Sequence, residues 1–150
     1  MSYVAPDQDA YMGTSVPNGQ CVAYVKAASG CPATSRWANG KTVKGADIPR
    51  GTAIATFQDG TYGNYTDGRS HAAIYMSQDD IGITVNDQWT GQPVHTRVIR
   101  FQSGAVQPRN DGDAFSVIED RVIIARLTRS RVKLVKIQGK KGLRSNSKVT

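Results

Sequence analysis

Cys21 and His71 are the two residues of this 150-residue chain whose types and settings could support nucleophilic chemistry. Cys21 lies in Asn18-Gly19-Gln20-Cys21-Val22-Ala23-Tyr24-Val25-Lys26, where a glycine-bearing turn gives way to a short helical run. His71 heads the apolar run His71-Ala72-Ala73-Ile74-Tyr75-Met76. A thiol attacks as its thiolate, and a free cysteine has a pKa of about 8.5. Backbone N–H groups and the dipole at a helix start favour the anion. A neighbouring imidazole can take the proton and form a thiolate–imidazolium pair. That imidazole must be held in one tautomer by an acceptor on its other nitrogen.

The run Ile83-Thr84-Val85-Asn86-Asp87-Gln88-Trp89 can supply the acceptor, because a turn at 78–82 would fold it back against the histidine run. Asp87 is the first choice and Asn86 the second; side chains alternate across a strand, so both cannot face His71. Taken singly, a cysteine on a short helix is ordinarily a small buried hydrophobe, and a strand histidine is ordinarily a packed one. The joint arrangement is what points to chemistry. His95, beside Thr96 and Arg97, has no such setting and is expected to be structural. One Cys and one His do not make the ligand cluster a metal needs, so neither metal nor other cofactor is expected.

The elements that must position these groups follow from patterning. Val22, Val25 and Ala28 share one face and predict a helix over about 21–29, stopped by Gly30-Cys31-Pro32. A further helical turn is expected at 35–40 around Trp37. Strands are expected at 51–57, 71–76, 83–89, 94–101 and 114–118, with a Gly-, Asn- and Tyr-rich loop at 60–68. A helix followed by an antiparallel meander is an α+β arrangement. Cys21 and Cys31, on a helix rising about 1.5 Å per residue, stand too far apart for a disulfide, and both thiols are expected to be free.

The formal charge of +7 is unevenly placed. Residues 1–120 hold nine Lys and Arg against twelve carboxylates, and residues 121–150 hold ten Lys and Arg and no acid. A domain over 1–120 and a basic tail over 121–150 are therefore expected. The tail reads as basic strands or one amphipathic helix, with disorder from about residue 139. Its charge suits an anionic polymer or lipid, but no aromatic is interleaved for base stacking, so no specific nucleic acid is expected. No stretch reaches the roughly 20 apolar residues of a membrane span, and residues 1–12 lack the pattern of a signal peptide.

Gly19-Gln20-Cys21-Val22-Ala23-Tyr24-Val25 resembles the glycine–glutamine–cysteine signature of CHAP amidases, relatives of the NlpC-type cell-wall peptidases. Trp37-Ala38-Asn39-Gly40 and Pro49-Arg50-Gly51-Thr52-Ala53-Ile54-Ala55 resemble that family's tryptophan segment and first core strand. His71-Ala72-Ala73-Ile74-Tyr75 is similar to its histidine strand, and residues 83–89 to its third-residue strand. The four matches fall in family order across about 17–90. Residues 62–70 and 92–101 further resemble type VI-secreted amidase effectors.

The resemblance implies a papain-like α+β fold and hydrolysis of amide bonds in the stem peptides of bacterial peptidoglycan, without cofactor. It implies Cys21 as nucleophile, His71 as base and then acid, and Asp87 as orienter. The Cys21 N–H, with Gln20 or Tyr11, would stabilise the oxyanion, with Asn86 as the alternative third residue. CHAP histidines commonly follow a glycine, whereas Arg69-Ser70 precedes His71 here; Arg69 would face a substrate carboxylate, and Trp89 would line the substrate site. A monomer is expected, secreted without a signal peptide and acting in the periplasm or wall of a target bacterium, with a cognate immunity protein. A phage or autolytic hydrolase and a non-catalytic wall-binding module are the competing expectations.

Overall fold

The computed structural model describes residues 2–144, and side chains through Gly139. Its chain forms two compact units, one ending at Asp120 and one beginning at Arg121. In the first, α1 (Cys21–Ser29) precedes six strands: β1 (Trp37–Thr42), β2 (Ala53–Thr56), β3 (Ala72–Gln78), β4 (Gly82–Trp89), β5 (Gln92–Arg100) and β6 (Phe115–Asp120). All pairings are antiparallel, in the order β1-β6-β2-β3-β4-β5. The fold is α+β. β2 to β5 form a meander, and β6 returns to lie between β2 and β1.

The helix α1 has the predicted bounds for the predicted reasons. Gly30 adopts the left-handed conformation at φ 75° and its N–H caps Lys26 O at 2.9 Å. Tyr24, Val25 and Ala28 are buried and pack with Ala72, Ile74 and Met76 of β3 and with Trp37. The alternate β3 residues, Ala73 and Tyr75, point to the other layer, with Ile54, Ile83, Val85, Ile99, Phe115 and Val117. β3 is thus covered on both faces, which explains its unbroken apolar run.

Two expectations are corrected. The turn predicted at 35–40 is confined to a 3₁₀ turn at Thr34–Arg36, and Trp37 begins a strand. Its indole N–H donates to Pro32 O at 2.9 Å, so burial of the ring and pairing with β6 outweigh the weak strand propensity of Asn39 and Gly40. The sheet consequently has six strands where five were expected.

The second unit, described by itself, is one helix, α2 (Arg121–Arg144). Helical spacing places Arg126, Arg129, Lys133 and Lys136 on one face and turns Leu127 and Leu134 away from it, and α2 resolves the choice between strands and a helix. The disorder expected from residue 139 meets helical backbone as far as Arg144, and beyond that it lies outside the described residues. No helix among the described residues is long and apolar enough to cross a membrane.

Candidate active site

Cys21 is the first residue of α1, and Gln20 before it is extended, as an N-cap must be. A buried glutamine that sequence reasoning did not single out fixes this helix start. Gln88 of β4 donates to Gln20 O at 2.8 Å and Val16 O at 3.0 Å, and accepts from the Val16 N–H at 2.9 Å. The strand carrying Asp87 therefore also clamps the turn carrying Cys21.

His71 immediately precedes β3 and is buried. Its N–H donates to Thr56 Oγ1 at 3.0 Å, and the Thr56 N–H donates back to His71 O at 3.0 Å. The ring packs edge-on against Trp89 and Phe115, each at 6.4 Å between centroids. Its Nε2 lies 2.7 Å from Asp87 Oδ2. That leaves Nδ1 as the nitrogen available to the thiol, whose pKa the imidazole lowers.

Asp87 is fully buried and holds three groups. Oδ2 also accepts from Arg97 Nε at 2.8 Å. Oδ1 has His95 Nε2 at 3.0 Å, within ion-pair reach but off the line of a hydrogen bond. His95 and Arg97 reach Asp87 because β5 pairs with β4 in the register Asp87↔His95. The expectation that His95 lacks a site setting is therefore corrected. The two-residue turn Thr90-Gly91 alone would set Val94 opposite Asp87; an irregularity in the pairing between Trp89 and Asp87 brings His95 there instead, and no sequence signal marked it.

The electrostatics favour an ionised thiol. Burial opposes the thiolate, but the hydrogen bond and charge of His71, the Ala72 N–H and the Tyr62 hydroxyl outweigh it and lower the Cys21 pKa. Burial likewise opposes the imidazolium, yet Asp87 and Cys21 raise His71 to about 9. Burial would raise Asp87, and His71 and Arg97 together hold it below the usual carboxylate range. Cys31 contrasts: burial pushes its thiol up to about 11, and both cysteines are free.

Cys21 and His71 open onto a cleft of about 650 Å³ lined also by Gln20, Tyr62, Trp89, Arg97 and Arg109. Tyr62 was missed from sequence. Its hydroxyl is 3.8 Å from Cys21 Sγ, its ring packs against Trp37 at 4.9 Å, and burial raises its pKa, so it stays protonated. Gln20 and Trp89 both line the cleft.

Three other candidates lie elsewhere. The Tyr11 hydroxyl donates to Ala27 O at 3.4 Å, its ring stands edge-on to Tyr24, and it does not line the cleft. Asn86 points to the α1 side of the sheet, donating to Gln8 O at 3.0 Å and accepting from Thr96 Oγ1 at 2.6 Å. Arg69 pairs with Asp67 at 2.9 Å and lies over the Tyr65 ring at 3.4 Å, outside the lining. Arg97 and Arg109 line the cleft in its place. Among the described residues no cluster of His, Cys, Asp or Glu could hold a metal.

Comparison with known proteins places this α+β chain among the amidase effectors. A solved structure of type 6 secretion amidase effector 2 (Tae2) superposes with a TM-score of 0.71 at 34% identity, covering 79% of this chain and 94% of that one. The family model described as domesticated amidase effector 2 matches residues 2–118, and the chain belongs to that family. A relative from Ixodes scapularis named domesticated amidase effector 2 is 42% identical over 109 residues, spanning 69% of this chain and 73% of its own length. A Salmonella typhi protein named type VI secretion amidase effector 2 is 31% identical over 113 residues, spanning 67% and 84%.

Proposed function

We propose that this protein is a cysteine amidase that hydrolyses amide bonds in the stem peptides of bacterial peptidoglycan. It acts as an antibacterial effector delivered by type VI secretion to the periplasm of a target cell. The observation that carries this is the opening of Cys21 and His71 onto one cleft, with Asp87 hydrogen-bonded to His71 beneath it. A CHAP-like, papain-like ancestry fits a nucleophile at a helix start and a histidine beside a strand.

Cys21 Sγ attacks the carbonyl carbon. The oxyanion is met by the Cys21 N–H, with the Gln20 side chain and the Tyr62 hydroxyl beside it; loss of one such donor typically costs on the order of 10²–10³ in rate. His71 passes its proton to the leaving amine, then takes one from the water that hydrolyses the thioester. Asp87 holds the ring and stabilises the imidazolium, and Arg97 keeps Asp87 ionised. A cognate immunity protein would plug this cleft.

Mass spectrometry of fragments released from purified sacculi tests the proposal. The expected products are muropeptides bearing a new amine and a new carboxylate, each pair differing from its parent by one water. Sacculi that release no more than the buffer control would count against it.

A further inference from the structure

We infer that Arg109 binds a carboxylate of the substrate close to the scissile amide, an inference that rests on the amidase reading of the same cleft. No Asp or Glu lines the cleft, whereas two arginines do. The charges beneath them cancel in pairs. Cys21 and His71 sum to no net charge, whether both are neutral or paired as thiolate and imidazolium, and the Arg97 guanidinium is held by Asp87 at 2.8 Å. Arg109 is exposed and has no ion pair among the described residues. The cleft therefore carries one surplus positive charge.

The backbone at Arg109 is fixed while its guanidinium has no hydrogen-bond acceptor among the described residues. Its N–H donates to Gly68 O at 3.1 Å, and its carbonyl accepts from Arg97 Nη2 at 3.4 Å. Gln107, two residues earlier, donates to Asp67 O at 2.9 Å. These bonds lock the 3₁₀ turn Pro108–Asn110 onto the 60–70 loop, so that both form one wall of the cleft. Gly68 permits that contact: its φ is +95°, and the Gln107 side chain occupies the space a Cβ would need. An unpaired guanidinium on a fixed turn matches a planar carboxylate, which it can hold through two parallel N–H donors.

The test uses a cross-linked stem-peptide dimer in two forms, with its carboxylates free or converted to carboxamides. Titration into the full Cys21→Ala chain reads binding alone, so the result does not depend on whether the protein hydrolyses the dimer. The free-carboxylate dimer is expected to bind about tenfold more tightly than the carboxamide. Adding Arg109→Gln should abolish that preference, Arg109→Lys should retain part of it, and unchanged melting temperatures would show intact folding. Equal binding of the two dimers, or a preference that survives Arg109→Gln, would overturn the inference. Catalytic failure of the wild type on a dimer it binds with this preference would instead indict the amidase proposal.

Discussion

Replacing Cys21 by alanine is expected to reduce muropeptide release from sacculi to background, a loss on the order of 10⁴–10⁶ in kcat. Removing the sulfur removes the covalent route, and no second thiol can stand in. Cys31 is buried beyond the far end of α1, where the Ser29 hydroxyl donates to its sulfur at 3.2 Å and its pKa is about 11. Folding should persist, because Cys21 is only half-buried at the rim of the core. Rates over a range of enzyme concentrations, with circular dichroism to report folding, would check this. Retention of more than a hundredth of the wild-type rate would mean that another group performs the attack.

Asp87→Asn is expected to lower kcat by on the order of 10²–10⁴ and to contract the active pH range from its alkaline side. The competent enzyme needs Cys21 deprotonated and His71 protonated. Activity should therefore rise through the lowered Cys21 pKa and fall as pH passes that of His71, about 9. An amide at residue 87 can still accept from Nε2 but brings no negative charge, so the imidazolium loses its main stabiliser. The descending limb should move to lower pH. Arg97, deprived of its 2.8 Å carboxylate partner, adds repulsion in the same direction. Rate profiles between about pH 5 and 10 for both proteins provide the check. A profile that falls in height without moving would show that Asp87 only supports the fold.

Much of this site was legible because it depends on local rules. The Gly19 turn and the Gly30-Cys31-Pro32 stop bracket α1, and alternation along 83–89 separates Asp87 from Asn86. The structure bears out this geometry, with Asp87 on His71 and Asn86 on Gln8 and Thr96. What escaped depends on pairings between segments distant in sequence. β1 is a strand because β6, far along the chain, returns to pair Asp120 with Trp37. Tyr62 and Arg109 reach the cleft through loops whose paths no periodicity encodes. Arg69 misled because closeness to His71 in sequence does not fix a side chain's direction, and Asp67 and Tyr65 claim it. Gln88 looked like one more polar strand residue until burial gave its amide the task of holding the nucleophile's turn.

Activation of Cys21 by His71, itself held by Asp87, can be read from the pH dependence of thiol alkylation. Native protein is treated with iodoacetamide from about pH 5 to 10, and labelling at each cysteine is followed by peptide mass spectrometry. Cys21 is expected to label rapidly well below pH 8 and Cys31 slowly throughout, with the Cys21 profile shifted to higher pH in His71→Ala. Equal, slow labelling of both cysteines, unmoved by the loss of His71, would contradict this activation.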